Sequence, residues 1–485
     1  MNEMPRASAL PADPSTARVV HGVPPAVDLV CQVAVVGGGA CGLTAATWAR
    51  RHGATDVLVL ERDASNQGST ALSSGFVPAG GTRMQKARGI TDSPAGFAAD
   101  IVAKSHGGAD PRLVARYTHE IVGAIETLVE DFGLAFEVLD GFLYPGHSVA
   151  RMHTLPARTG TALVAALQDA AIAAGADCIN DARVRYLFVD AARRVTALGV
   201  ERPDGTVEYL GCQAVVLACN GFGGNPALVS RFIPQASQGL YFGHAGNQGD
   251  AVHWGEALGA ELADMGGYQG HGSVAVPHGI LLTWALLMKG GIQVNARGER
   301  FWNEHQGYSE AAEQVLAQPG GIAWNVYDES IHQFALDFPD YRDAVTAGAI
   351  HIAPDAAALA ALIGCAPAAI AATLDEAERA CLQSRQDRYG RQFDPSQRLR
   401  APYRAARVTG ALFHTQGGLS IDGQCRVLAR SPGGTVHALP NLLAAGGAAR
   451  GVSGNHPSGY LSGNGLLSAI AGGAVAGREA AAVSR

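Results

Sequence analysis

Charge is scarce in this chain. Asp, Glu, Lys and Arg make up 16% of its 485 residues, and Lys+Arg 36 against Asp+Glu 43 leave a net charge of −7. A basic face for nucleic acid or an anionic membrane is therefore not expected. Cysteine is sparse and scattered singly over Cys31, Cys41, Cys178, Cys212, Cys219, Cys365, Cys381 and Cys425, with no C-x-x-C and no C-x-x-C-H. That argues against an internal iron–sulfur or haem relay and for buried thiols in a reducing compartment. No metal site is expected. Residues 1–28 have no apolar core of the kind a secretory signal carries. The longest apolar stretch, Ile280 to Met288, is far short of a membrane span. A cytoplasmic protein without a membrane span is the expectation.

Glycine is what the chain has in excess: 62 residues, nearly twice the roughly 7% average, without a G-X-Y period. Such glycine points to tight turns and close backbone approaches. Val33–Val36 reads as a short buried strand, Gly37-Gly-Gly39-Ala40-Cys41-Gly42 follows, then a helix to about Arg51 and a second strand, Val57–Leu60, ending at Glu61. Helices are expected over 111–132 and 160–174, and a meander over 183–218 closes in the buried strand Ala214–Leu217. The texture changes beyond about 265, with aromatic residues and histidines between Tyr268 and Tyr327 and an Ala-rich helical stretch from Asp355 to Arg385. The last 70 residues return to the opening style, with a strand at Leu442–Ala445 and a helix from about Ser462 to Ala482. The expectation is a flexible tail over 1–28, an α/β domain built from 29–264 and 413–485, and a largely helical insert at 265–412.

The G-x-G-x-x-G loop lies between strand and helix, with Glu61 19 residues past Gly42. Gly37 permits the turn, Gly39 the approach of a pyrophosphate, and Gly42 close packing of helix on strand, so a diphosphate can sit on the helix N-terminus. Glu61, followed by Arg62, would accept from the adenosine ribose. A second glycine/hydroxyl loop (Gly68, Ser69, Thr70, Ser74, Gly75) and a third (Ala218, Asn220, Gly221) favour FAD over NAD. The C-terminal helix, opening at Gly463-Asn464 with Leu466 and Leu467, would turn free N–H groups toward a flavin carbonyl. Gly446 and Gly447, after the last strand, and Val184, on the meander, complete the expected FAD contacts.

These blocks, in this order, resemble the flavoprotein family of soluble fumarate reductases and 3-ketosteroid Δ1-dehydrogenases. Further matching blocks are Gly246-Asn-Gln-Gly249-Asp250, Gly290-Gly-Ile-Gln-Val-Asn295, Arg300-Phe-Trp-Asn303-Glu304 and His414-Thr-Gln-Gly417-Gly418, within a match over roughly 30–480. The resemblance implies a Rossmann-like FAD-binding domain with an inserted α+β capping domain, and hydride exchange at flavin N5 across a C–C bond. The family's acid after the last Ala-Ala-Gly is Gly447 here. Where the fumarate reductases carry a proton-donating arginine, this chain has Tyr308; their upstream glutamate and arginine fall on Trp284 and Leu287, and their carboxylate-clamping arginine on Tyr460. Losing that fixed cation removes bidentate carboxylate binding.

The ketosteroid branch carries tyrosines at both places. By that resemblance Tyr308 removes a proton α to a ketone and Tyr460, with the Asn464 N–H, holds the ketone oxygen; His271 and His414 match histidines that touch substrate in the reductases. An enolate forms when a phenol O–H holds its oxygen in a dry pocket. A tyrosine with pKa about 10 is a poor base near neutrality, so Tyr308 needs a neighbour, with Tyr144, His271 and His305 as candidates. The expectation is α,β-dehydrogenation of a cyclic ketone of cyclohexanone or 3-ketosteroid type, with an external electron acceptor. The alternative is a carboxylate oxidoreductase, fumarate-reductase-like or acting on a tricarboxylate, with Arg450 or Arg151 as clamp. A third possibility is a flavin-binding protein without turnover.

Overall fold

A computed structural model describes residues 17–140, 143–431 and 433–485. The chain divides into two compact units. The first contains residues up to Leu228, Gly243–Tyr268 and His414–Arg485; the second contains Val229–Phe242 and Gln269–Phe413.

The first unit is organised on a nine-stranded sheet. Its strands run in the order Arg18–His21, Arg183–Val189, Val195–Glu201, Val207–Leu217, Leu29–Val36, Val57–Leu60 and Asp177–Ile179, while Val436–Ala444 pairs with Val207–Leu217 and with Arg426–Arg430. Leu29–Val36 lies between two parallel neighbours, and Val33 to Val36 are buried. That is why Val33–Val36 reads as an unbroken apolar run rather than an alternating one. Helix Pro111–Phe132 has capping signals at both ends: Asp110 accepts from the Arg112 N–H, Pro111 opens it, and Gly133 closes it at φ +72°.

Two expectations need correction. Residues 1–16 of the expected flexible tail lie outside the described residues, but Arg18–His21 is not a tail. It forms a parallel edge strand, Arg18 opposite Tyr186 and His21 opposite Val189. Val229–Phe242, expected in the dinucleotide-binding domain, packs in the second unit, where Leu240–Tyr241 pairs with Ala411 and Leu412.

The second unit carries a seven-stranded sheet in the order Ile280–Leu281, Tyr268–Ala275, Tyr403–Thr415, Ile322–Asp328 and Ile292–Val294, with Leu240–Tyr241 and His351–Ala353 also on Tyr403–Thr415. It is thus more sheet-based than a helical insert. The Ala-rich stretch forms helices Ala356–Ile363 and Pro367–Leu382, broken at Gly364.

The C-terminal helix Asn464–Val483 is long and apolar enough to cross a membrane by composition, but 67% of its apolar window is buried inside the first unit. Its Gly473 and Gly477 touch helix Ala40–Arg51 at backbone distance: a Cβ would stand 2.5 Å from the Cys41 carbonyl oxygen and 2.1 Å from that of Ala45, respectively. Gly477→Ala is therefore expected to cost at least about 1–3 kcal/mol through overpacking against backbone. Gly123→Ala, on helix Pro111–Phe132 where a Cβ meets nothing within 4 Å, should stabilise by roughly 0.5–1 kcal/mol. Urea-denaturation midpoints of the two variants check this contrast.

Candidate active site

In the first unit the strand Leu29–Val36 ends in a turn that only glycine permits. Gly37 has φ +111°, and a Cβ there would lie 2.6 Å from the Ala218 carbonyl oxygen; at Gly42 it would lie 1.9 Å from that of Gly37. The helix that follows starts at Gly39 with no side-chain cap and no acidic residue in its first turn, so its N–H groups and dipole face an anion site. Glu61 accepts from the Gly38 N–H at 2.7 Å and the Asp63 N–H at 3.1 Å; burial raises its pKa against those two bonds. Thr70 Oγ1 accepts from the Ala40 N–H at 3.0 Å, joining the second loop to the first. A Cβ at Gly68 would meet nothing within 4 Å.

The other expected cofactor residues gather in the same unit. Ser69 Oγ accepts from Asn220 Nδ2 at 2.6 Å and Asn247 Nδ2 at 3.2 Å. Asn220, at φ +65°, caps the Gly221 N–H with its own Oδ1. Gly446 lies against Cys41 and Gly447 against Asn220. Gly75 sits at φ +69°, where Ser73 accepts from Gly160 N–H, and Ser74 is exposed beside it. Val184 pairs with Val200, two residues after Ala182, whose N–H donates to the Glu61 carbonyl at 2.8 Å. Arg62 is turned inward, donating to the Gly246 carbonyl at 2.6 Å. Gly463 opens the C-terminal helix without a side-chain cap, Leu467 N–H donates back to its carbonyl, and Leu466 is half-buried. Asn464 is fully buried, with its Oδ1 unpaired among the described residues. Two helix N-termini whose glycine N-cap residues supply no side chain, glycine turns that a Cβ would close, and a carboxylate at the strand end fit a bound FAD.

Tyr460, His414 and Gly465 form one cluster of this unit. The Tyr460 and His414 rings meet edge to face at 5.6 Å. A Cβ at Gly465 would stand 2.9 Å from His414 Nε2 and 3.7 Å from Tyr460 Oη. Burial pushes the Tyr460 phenol above the ordinary tyrosine range, outweighing the Gly465 and Gly463 N–H groups directed at its oxygen. The phenol therefore keeps its proton and is a donor. Burial lowers His414 to about 4, so it is neutral at physiological pH. Tyr144 packs against Phe76 in this unit and is raised to about 12 by burial.

Tyr308 and His271 form the second unit's cluster. Gly307, at φ +142°, places Tyr308 at the start of helix Tyr308–Leu316. The His271 ring stacks on Tyr308 at 5.0 Å and 20°, with Trp284 on its edge at 5.6 Å. The Ser273 N–H donates to His271 Nδ1 at 3.2 Å, and burial lowers the imidazole to about 3. As a neutral ring it supplies no positive charge to activate Tyr308. His305, likewise, is lowered to about 4 by burial.

The backing of this cluster was not read from the sequence. Glu304, fully buried, accepts from Arg300 at 2.6 and 2.8 Å, from Arg391 at 3.0 Å and from the Gln293 N–H at 3.0 Å. Trp284 Nε1–H donates to the Glu304 carbonyl and Trp302 Nε1–H to Gln293 Oε1. The network thus fixes the tryptophan against which His271 rests. The two suggested carboxylate clamps are committed elsewhere. Arg450 donates to Asp264 at 3.0 and 2.7 Å and to Asp110 at 3.1 Å. Arg151, fully buried, holds Asp92 at 3.0 and 3.2 Å and Asp100 at 2.5 Å. Each guanidinium already faces two carboxylates, which corrects their assignment as clamps.

The FAD binding domain family model matches residues 32–466, and the chain belongs to that family. It is 28% identical over 455 residues to a fumarate reductase (cytochrome) from Shewanella frigidimarina, covering 93% of this chain and 77% of the relative. The open form of a flavocytochrome c3 fumarate reductase superposes with TM-score 0.78 at 25% identity, over 94% of this chain and 79% of that one. The 3-ketosteroid-Δ4-(5α)-dehydrogenase of Rhodococcus jostii, solved with 4-androstene-3,17-dione, superposes with TM-score 0.77 at 27% identity, over 94% and 98%. The protein is an FAD-dependent oxidoreductase of the FAD binding domain family, similar in sequence to fumarate reductases.

The Glu304 network has a stability signature. Its arginines hold the Glu304 pKa at about 2, below the ordinary 4.5, despite the opposing desolvation. The stabilisation is therefore complete above about 4.5 and is lost as pH falls toward about 2. Glu304→Gln leaves two buried arginines undercompensated, and a loss of about 3–5 kcal/mol is expected in urea denaturation at neutral pH.

Proposed function

We propose that the enzyme desaturates a cyclic ketone, of cyclohexanone or 3-ketosteroid type, across the α,β carbon–carbon bond. The observation that carries this reading is Tyr460: a buried phenol kept protonated, in place of the arginine that relatives use to clamp a carboxylate. Bound FAD supplies the two-electron acceptor for the hydride that leaves the β-carbon. In this reading the Tyr460 Oη–H donates to the ketone oxygen, holding the charge that develops there as the α-carbon gives up its proton. The α-proton goes to Tyr308 Oη, which must lose its own proton before it can accept. His271 stacks on the Tyr308 ring and limits its orientation, and Trp284 holds the edge of His271. His414 offers a second neutral imidazole beside Tyr460.

The carboxylate alternative has its support in the fumarate reductase relatives, but Arg450 and Arg151 lack the free cationic face it needs. Electrons pass to an external acceptor, and the enzyme works in the cytoplasm, as composition suggests.

Proton removal and oxidation are separable in the test. In D2O the holoenzyme is expected to wash deuterium into the α-position of a cyclic ketone, read by proton NMR, and Tyr308→Phe should lower that exchange by roughly 10²–10⁴. Tyr460→Phe should lower kcat by roughly 10²–10³. Wild-type exchange in Tyr308→Phe would remove the base from the account.

A further inference from the structure

His414 can serve an oxygen of the substrate as donor or acceptor, depending on which ring nitrogen carries the proton. A line of buried side chains behind it bears on that choice. Asn464 Nδ2–H donates to Ser453 Oγ at 3.0 Å, Ser453 Oγ–H donates to Gln416 Oε1 at 2.9 Å, and Gln416 Nε2–H donates to His414 Nδ1 at 3.0 Å. All belong to the first unit, and Gln416, Ser453 and Asn464 are buried.

The polarity of this line follows from proton counting. Ser453 has one hydroxyl proton; with Asn464 donating to its oxygen, that proton goes to Gln416. The Gln416 carbonyl is then used, and its NH2, which only donates, faces His414. Nδ1 must be the bare nitrogen, so the proton sits on Nε2. The Thr415 carbonyl competes for an Nδ1 proton from 3.4 Å, at the long end of hydrogen bonding. Reversing the line would make Nδ1–H donate to Gln416 and Ser453 donate to Asn464. It would also replace one unpaired buried acceptor, Asn464 Oδ1, with an unpaired buried NH2. Orphaned N–H groups are rarer in proteins than under-satisfied carbonyl oxygens.

We propose that Gln416 and Ser453, anchored by Asn464, are positioning residues that set His414 as an Nε2–H donor, so that a carbonyl oxygen over Gly465 meets two neutral donors, His414 Nε2–H and Tyr460 Oη–H. The placement over Gly465 agrees: Nε2 and Oη are the nearest polar side-chain atoms to a Cβ built there, at 2.9 and 3.7 Å. A pair of uncharged donors suits an oxygen that is neutral in the ketone and gains charge as the α-proton leaves. This inference rests on the cyclic-ketone reading for its substrate, but not for the tautomer itself.

The test is nitrogen NMR of the FAD-loaded holoenzyme with ¹⁵N-histidine, His414 being assigned by the signal lost in His414→Asn. The wild type is expected to show a pyridine-like Nδ1 and a protonated, pyrrole-like Nε2. Gln416→Glu, nearly isosteric, puts an acceptor where the amide donor stood; it should move a proton onto Nδ1 and lower kcat on a cyclic ketone roughly 10-fold or more with little change in KM. Ser453→Ala frees the Gln416 amide to turn and should give both tautomers, a second readout if Gln416→Glu folds poorly. A protonated Nδ1 with a bare Nε2 in the wild type, or unchanged His414 shifts in both variants, would overturn the relay. The expected ring signature in a holoenzyme that turns over no cyclic ketone would uphold the relay and remove the substrate reading.

Discussion

The first unit depends on backbone-to-backbone contact between two helices. Gly473 and Gly477 of the C-terminal helix lie against the carbonyls of Cys41 and Ala45 in helix Ala40–Arg51, at a separation no side chain would allow. The same constraint acts at the turn before that helix, where Gly42 packs on Gly37 and Gly37 on Ala218. Through these contacts the N-termini of two helices that open on glycine, Ala40–Arg51 and Asn464–Val483, are held in one compact unit. Glycine excess and scarce charge are thus two sides of one requirement: a large, partly charged cofactor needs close backbone and little competing charge.

The second constraint is electrostatic. Arginines are matched by carboxylates in each unit: Arg450 and Arg151 by two aspartates each in the first, and Arg300 with Arg391 by Glu304 and Asp387 in the second. The two clusters consist of phenols and imidazoles, with His271 and His414 held neutral by burial. Such a set handles proton position and hydrogen-bond polarity rather than net charge, which is why the Gln416–Ser453–Asn464 line carries weight.

Much of this was legible in the sequence because the signals are local. The buried strand Val33–Val36, the glycine loop, the strand ending at Glu61 and the capped helix Pro111–Phe132 each declare themselves within a short window. What escaped is non-local. Arg18–His21 is four residues long and is a strand only because Arg183–Val189 offers it an edge. Val229–Phe242 joins the second unit through a pairing with residues about 170 positions later. Arg450, among small residues in its own segment, finds its carboxylates at Asp110 and Asp264. In the site, residue types were visible but hydrogen-bond direction was not: Gln416 stood inside a recognised block, and only its contacts with Ser453 and His414 give it a role.

In the reading proposed above, a neutral ketone and not a carboxylate is oxidised. Anaerobic mixing of the oxidised holoenzyme with cyclohexanone or a saturated 3-ketosteroid, followed at the flavin absorbance band, tests it most directly, with succinate as the comparison. Bleaching by a ketone and none by succinate is expected. Bleaching by succinate alone would contradict it.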